Sequence, residues 1–352
     1  MYIDAHVHFR DLEQRQKETV KHGLEVARDS NLDAVFAMPN TNPSITEEEH
    51  VKNYLQLADS AKVPEVFFGL YLGLTKDTDQ IKRAIQTQRK YFPKVVGLKM
   101  FAGESVGSLA IVNPKEQYEV FKVLTTEGYK GVLAQHCEKE SLMNPKIWDS
   151  RYPITHSFAR PETAEIEAIR DQINFAKETN FKGKLHICHV STQESVDLIK
   201  KAKSEDLDIS SELSIHHLFY DWNQMLNTDG ILWKMNPPLR APHNPPALAY
   251  SLKSGDIDFI ATDHAPHTFK EKTTEKYMSG IPAISAWPLL GRYLNYLQFP
   301  EERIKEITHS AICKRFEIEI PRTNRKIYNR TNEYAFNPFE KLEELLGYPD
   351  YA

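Results

Sequence analysis

A chain of 352 residues, 41% hydrophobic and 26% charged, is long enough for one large domain or two modest ones around a sizeable core. Its formal net charge of −5 argues against a nucleic-acid partner, and no apolar run approaches the ~20 residues that a membrane span needs. Three widely spaced cysteines suggest no disulfide framework, and Asp4, His6 and His8 interrupt what would be the apolar part of a secretory signal, so a cytoplasmic protein is expected.

Strand-like runs alternate with charged helical patterns almost to the end of the chain. Strands are predicted at 2–9, 34–39, 66–73, 95–101, 131–137, 184–190, 208–215 and 258–265. Helices are predicted at 13–29, 46–61, 77–91, 114–127, 162–180, 193–204, 243–254, 282–297 and 301–312, with start signals at Thr46, at Asn113 before Pro114, and at Ser191 or Thr192. This order predicts an α/β fold, a (β/α)8 barrel of the TIM type. A doubly wound open sheet is the competitor. It fits less well, because the polar candidates below lie on first, middle and last strands, which only a closed barrel brings to one centre. The irregular stretches 138–161, 218–242 and 266–281 all follow strands and belong at the mouth of such a barrel. The expected division is a barrel over 1–317 and a tail over 318–352 that wraps its exterior.

The opening stretch MYIDAHVHFR carries the first chemistry. Ile3, Ala5 and Val7 alternate with polar residues, so His6 and His8 should project from one face, with Asp4 and Arg10 sharing their parity. Neutral imidazole is the commonest protein metal ligand, and this strand reads as half of a metal site or as a pair of satisfied histidines. Lys99 lies in the apolar strand VVGLKMF, where an unpaired ammonium is expensive. Either a carboxylate pairs with it, or its neutral amine, which desolvation favours, has reacted with carbon dioxide to give a carbamate with two oxygen donors. His136 lies at the end of the strand GVLAQHC, next to Cys137. In KLHICHV, His186 and His189 have opposite parity, so only one should reach the lumen, while Cys137 and Cys188 should face the helices as small hydrophobes. His216 and His217 read as structural support for the mouth. Asp263, after the apolar run IDFIAT, is either a turn cap or a carboxylate meeting a cation.

Taken together, HVHFRD, AMPNTNPS, GLKMF, AQHCEKE, HICHVST, KMNPPLR and ATDHAPHTFKEK span nearly the whole chain and resemble the amidohydrolase superfamily, within it the dihydroorotases. The resemblance implies a binuclear zinc centre: His6, His8 and Asp263 on one ion, His136 and His189 on the other, with N6-carboxylated Lys99 and a hydroxide bridging the two Zn2+ ions. It implies the reversible cyclisation of N-carbamoyl-L-aspartate to dihydroorotate in pyrimidine biosynthesis, with Asp263 carrying the proton. Arg10, Asn40 and His267 would bind the substrate carboxylate, and Asn236, with backbone around Ser279 and Gly280, the ring. The segment 101–110 would be a loop over the mouth, with Ser105 and Val106 as weak candidates for substrate contact. Because the chain starts almost directly on the metal-binding strand, little or none of the β-sandwich that flanks the barrel in many relatives is expected. Allantoinase or dihydropyrimidinase activity is the alternative within the superfamily. A non-catalytic partner of aspartate transcarbamoylase is the alternative outside enzymology, and a homodimer or a transcarbamoylase complex are the candidate assemblies.

Overall fold

All eight predicted strands form, and they pair in chain order. The computed structural model describes residues 1–103, 109–323 and 334–347. Its parallel strands are β1 (Tyr2–Val7), β2 (Leu32–Ala37), β3 (Phe67–Gly73), β4 (Val95–Ala102), β5 (Val132–Cys137), β6 (Lys184–Ile187), β7 (Ile209–Ser214) and β8 (Phe259–Ala261). A parallel bridge between Val7 and His264, with His8 N donating to His264 O at 2.7 Å, joins the last strand back to the first. The eight strands thus form a (β/α)8 barrel. No helix among the described residues is long and apolar enough to cross a membrane.

The helices follow from amphipathic spacing and local capping. Helices α1 (Val20–Asp29), α2 (Glu48–Ala61), α3 (Thr78–Tyr91), α4 (Pro114–Thr126), α5 (Thr155–Ala159), α6 (Glu162–Glu178) and α7 (Gln193–Ser204) come before β7. After it come α8 (Ile215–Phe219), α9 (Asn244–Ser254), α10 (Trp287–Tyr296), α11 (Glu301–Lys305), α12 (Ala311–Phe316) and α13 (Glu340–Leu346). Asn113 and Thr192 cap α4 and α7 by accepting from Lys115 N and Ser195 N. Thr46 does not cap α2, which begins after Glu47. Ser191 instead donates to the buried carboxylate of Glu165.

Two apolar layers result. The larger one, with Val7, Val35, Leu98, Leu133 and Leu213, packs between strands and helices. The smaller fills the lumen with Ile3, Ala5, Ala34, Phe36, Tyr71, Val96, Val132, Ala134, Cys188 and Phe259. Its floor is Phe316, whose ring lies 5.1 Å from that of Phe36 and 6.0 Å from that of Tyr71, together with Ile318 and Ile320. The first residues after the barrel therefore plug its base, and do not simply wrap the outside. Farther on, Tyr334 Oη donates to Glu18 and α13 packs on α10.

The first strand departs from simple alternation. Asp4 pairs with Val35 and Val7 with Ala37, so β1 carries one extra residue there, a β-bulge. Before the bulge Ile3 and Ala5 face the lumen and Asp4 faces out, where it accepts from Trp287 Nε1 at 2.9 Å and from Thr262 N at 3.1 Å. After it Val7 faces out and His6 and His8 face in. Asp4 thus does not share the histidines' face, and Ile3, Ala5 and Val7 do not share one either: one inserted residue reverses the side-chain period.

Candidate metal centre and its mouth

His6, His8, Lys99, His136, His189 and Asp263 converge at the C-terminal ends of the strands, in the wall of a cavity of about 440 Å³ that Arg10, Asn40 and Asn236 also line. Two of these side chains arrive through strained backbone. Asp263 has φ +50° and His189 φ +36°, left-handed values uncommon for residues with a Cβ. The turn at His189 explains a departure from strict alternation. Cys188 and His189, neighbours in sequence, both point inward, and His186 sits one layer deeper, its ring stacked on Phe259 at 4.9 Å. Cys188 therefore does not face the helices, whereas Cys137 does.

The first cluster is His6, His8 and Asp263. His6 Nε2 lies 3.2 Å from His8 Nε2 and 3.2 Å from Asp263 Oδ1, and His8 Nε2 lies 3.0 Å from the same oxygen. The other ring nitrogens are already committed. His6 Nδ1 donates to the Glu212 carboxylate and His8 Nδ1 donates to Asn40 Oδ1 at 2.7 Å. Burial pushes both imidazoles below their ordinary pKa, for His8 with help from Arg10. Each neutral ring then has an unprotonated Nε2, and two lone pairs meet a carboxylate oxygen. Such a set lacks a proton to share and fits a cation, since ligands ~2.0–2.1 Å from a tetrahedral ion stand roughly 3.3 Å apart.

The second cluster is His136 and His189. His136 Nδ1 and His189 Nε2 are 3.0 Å apart, and the His189 ring lies 5.3 Å from that of His6. His189 Nδ1 is buried with no hydrogen-bond partner among the described residues. His136 Nε2 lies 3.1 Å from Glu138, whose carboxylate Arg160 grips through Nε and Nη2. Burial alone would raise the Glu138 pKa, but Arg160 and His136 outweigh it and hold the group well below the usual carboxylate range. Lys99 is fully buried, and its Nζ is 2.8 Å from Cys188 Sγ. Among the described residues no carboxylate lies within ion-pairing distance of it. Among these residues the carboxylate-paired alternative for this lysine is not met.

The mouth is cationic. Arg10, Arg160, Lys234 and Lys276 line it, against Asp263 as its acidic lining residue. Arg10 Nη1 donates to Asn40 O at 2.8 Å, while its buried Nε has no partner among the described residues. Asn236 Oδ1 accepts from His156 Nε2 at 2.9 Å. His267 does not line the cavity but stands behind Ser279, its Nε2 3.0 Å from the Ser279 carbonyl oxygen. His216 and His217 lie off the cavity and bond to Ser214 Oγ. Ser105 and Val106 lie outside the described residues, as does the middle of the expected loop, 104–108.

No protein-family model matches the chain. Among curated relatives, the dihydroorotase of Methanosphaera stadtmanae is 32% identical over 329 residues, 90% of this chain and 70% of that protein. That of Bacillus subtilis is 32% identical over 319 residues, 87% and 69%. This chain belongs to the dihydroorotase family. Solved structures agree on the fold. The L-hydantoinase (dihydropyrimidinase) of Arthrobacter aurescens superposes with a TM-score of 0.77 at 23% identity, covering 90% of this chain and 70% of that one. A dihydroorotase from Saccharomyces cerevisiae in complex with 5-fluoroorotic acid gives 0.73 at 20%, covering 91% and 84%.

Several residues that shape this dihydroorotase-family site escape the sequence reading. Glu212 is buried between two histidines: it holds His6 Nδ1, accepts from His189 N at 3.3 Å and meets His186 Nε2 at 3.0 Å. Its signal was a lone carboxylate inside the strand ISSELS. Glu138 and Arg160 sit near opposite ends of the irregular stretch 138–161, and nothing in their spacing ties them together. Lys234 was visible within KMNPPLR, but not the contact of its Nζ with Tyr277 O at 2.7 Å.

Proposed function

We propose that this chain is a metal-dependent cyclic amidohydrolase that catalyses the dihydroorotase reaction, the reversible closure of N-carbamoyl-L-aspartate to (S)-dihydroorotate with loss of water, as a cytoplasmic step of pyrimidine biosynthesis. The observation that carries the reading is the convergence of the His6, His8, His136 and His189 rings with the Asp263 carboxylate beneath a cationic mouth. In this reading His6, His8 and Asp263 would hold one zinc ion. His136 Nδ1 and His189 Nε2 would hold a second, and Lys99, carboxylated on Nζ, would supply two further oxygen donors. Carboxylation replaces an ammonium whose acceptor is a sulfur with an anion that has two oxygen donors, and it releases two protons per carbon dioxide taken up, one from the ammonium and one as the N–C bond forms. When bound, the ions supply Lewis-acid polarisation of the amide carbonyl and a water acidic enough to ionise near neutral pH.

The protein's own groups do the rest. Arg10 offers the free Nε edge of its planar guanidinium to the substrate carboxylate, and Asn40 holds both Arg10 and His8 in place. Asn236 and the Ser279–Gly280 backbone face the ring, with His267 fixing the Ser279 carbonyl. In ring opening, an Asp263 carboxylate oxygen takes the proton of the attacking water and delivers it to the leaving ring nitrogen. In closure the same oxygen removes the ureido proton. The positive mouth matches a substrate that is anionic in both directions.

The test measures hydrolysis of dihydroorotate, allantoin and dihydrouracil, and zinc stoichiometry, on one preparation. Dihydroorotate should be the preferred substrate, with two zinc ions per chain. Faster opening of allantoin or dihydrouracil would overturn the reading. Sedimentation of the chain alone, and mixed with an aspartate transcarbamoylase, separates a homodimer from a complex.

A further inference from the structure

Lys272 takes no part in the machinery above, yet it is fully buried, within a π-helical turn over Glu271–Glu275. Lysine is almost never so enclosed without an anion beside it. Among the described residues, however, no carboxylate lies within ion-pairing reach of its Nζ. Its three donors go instead to backbone carbonyls: Lys234 O at 2.8 Å, Gly280 O at 2.9 Å and Met278 O at 3.1 Å. That is the whole donor complement of an ammonium.

These carbonyls belong to two segments far apart in sequence. Gly280 N also donates to Lys234 O at 2.9 Å, so the segments cross at the Lys272 ammonium. The neighbouring carbonyls are tied as well. Lys234 Nζ donates to Tyr277 O at 2.7 Å, and His267 Nε2 lies 3.0 Å from Ser279 O. Four successive carbonyls, from Tyr277 to Gly280, are thus each held by a side chain from elsewhere, two of them by Lys272. Both segments line the cavity, through Lys234 and Asn236 on one side and Tyr277 to Gly280 on the other. At Gly280, φ is +132° and a Cβ would stand 2.6 Å from Ala265 O, so this edge has no room to shift towards Ala265. A peptide edge anchored at every carbonyl presents one fixed face to a ligand.

We infer that Lys272 is a positioning residue for substrate: its ammonium locks the 277–280 edge to the 234–236 turn and so fixes the cavity wall that the two segments build. The inference rests on the dihydroorotase reading. Lys272 itself does not line the cavity, so it acts through these backbones.

The test is Lys272→Met, which keeps the stem and removes all three donors. KM for dihydroorotate should rise about tenfold or more, while kcat falls less than about threefold and zinc content is unchanged, because uniform binding is lost and the reacting groups are not. Lys272→Gln, whose amide can keep at most two of the bonds, should fall between. A KM unchanged in both variants overturns the inference, whatever happens to the melting temperature. Hydrogen exchange on the wild-type protein gives a readout that needs no variant. The amides of Met278 and Gly280 should exchange as slowly as those of the barrel strands, and fast exchange there overturns the lock. If the wild-type protein does not open dihydroorotate at all, the dihydroorotase reading fails on that measurement alone, and the exchange rates still decide whether the edge is locked.

Discussion

Glu212→Gln isolates the part of the centre that lies behind the ligands. Oε1 of Glu212 takes His6 Nδ1 and His189 N, and Oε2 meets His186 Nε2 at 3.0 Å. With its oxygen in the Oε1 position, the amide keeps the first two contacts. Its NH2 then faces His186 Nε2, which can turn acceptor because His186 Nδ1 has Ser210 Oγ at 2.9 Å as an alternative partner. Shape and contacts survive and only the charge is lost. Charge-assisted hydrogen bonds are roughly twice as strong as neutral ones, so downgrading these bonds costs roughly 1–3 kcal/mol of stability in the metal-free protein. The imidazole of His6 also becomes a poorer ligand, and changes of this kind lower metal affinity by about 10–100-fold. Chelator competition for zinc and denaturant unfolding of the metal-free protein read the two effects separately. Zinc affinity within about twofold of wild type would show that the carboxylate does not prepare His6 for a metal, and the reasoning from ring tautomers would fail with it.

Lys99→Ala should lose most bound zinc and nearly all turnover; two ions per chain retained in this variant would sink the carbamate. Arg10→Met should raise KM for dihydroorotate about 10–100-fold, the worth of a charged hydrogen-bonded contact, and identical Michaelis constants would remove the guanidinium from the pocket. Acid should unfold the metal-free protein well before the surface carboxylates titrate. Burial lowers the pKa of His156, His217 and His267 to about 3, so between the ordinary histidine value and that point the unfolded chain binds protons that the folded one refuses. The stability these neutral rings contribute is present in full above pH ~6.5 and falls below it, by up to about 1.4 kcal/mol per pH unit for each ring. Denaturant midpoints that stay level from pH 7 to pH 5 would contradict this.

The strands were legible because a buried parallel strand is largely apolar, as LDAVFA is apart from Asp33, and the residues that converge on the cavity were legible because barrel chemistry gathers at strand ends. Inward and outward assignments were harder. Parity counting assumes unbroken pleating, and it failed at Asp4, where one residue is inserted, and at Cys188, where the chain turns through a left-handed conformation. Both departures are local backbone events with no composition signature. Glu212 and Glu138 went unseen for another reason: their value lies in which histidine each one touches, which only the assembled barrel decides. Ile318 and Ile320 looked like ordinary tail, because nothing in these residues distinguishes a stopper for the lumen from a strap on the outside.

The ring of strands has one join, where β8 returns to β1, and the first cluster straddles it: two donors come from the opening residues and the third from Asp263. Asp4 bonding to Thr262 rivets the same join from behind. A growing polypeptide therefore has no complete three-ligand cluster until its last strand has been synthesised and has found its first. Any ion held there acts as a clasp on the finished ring, and stripping it should loosen that one join before any other.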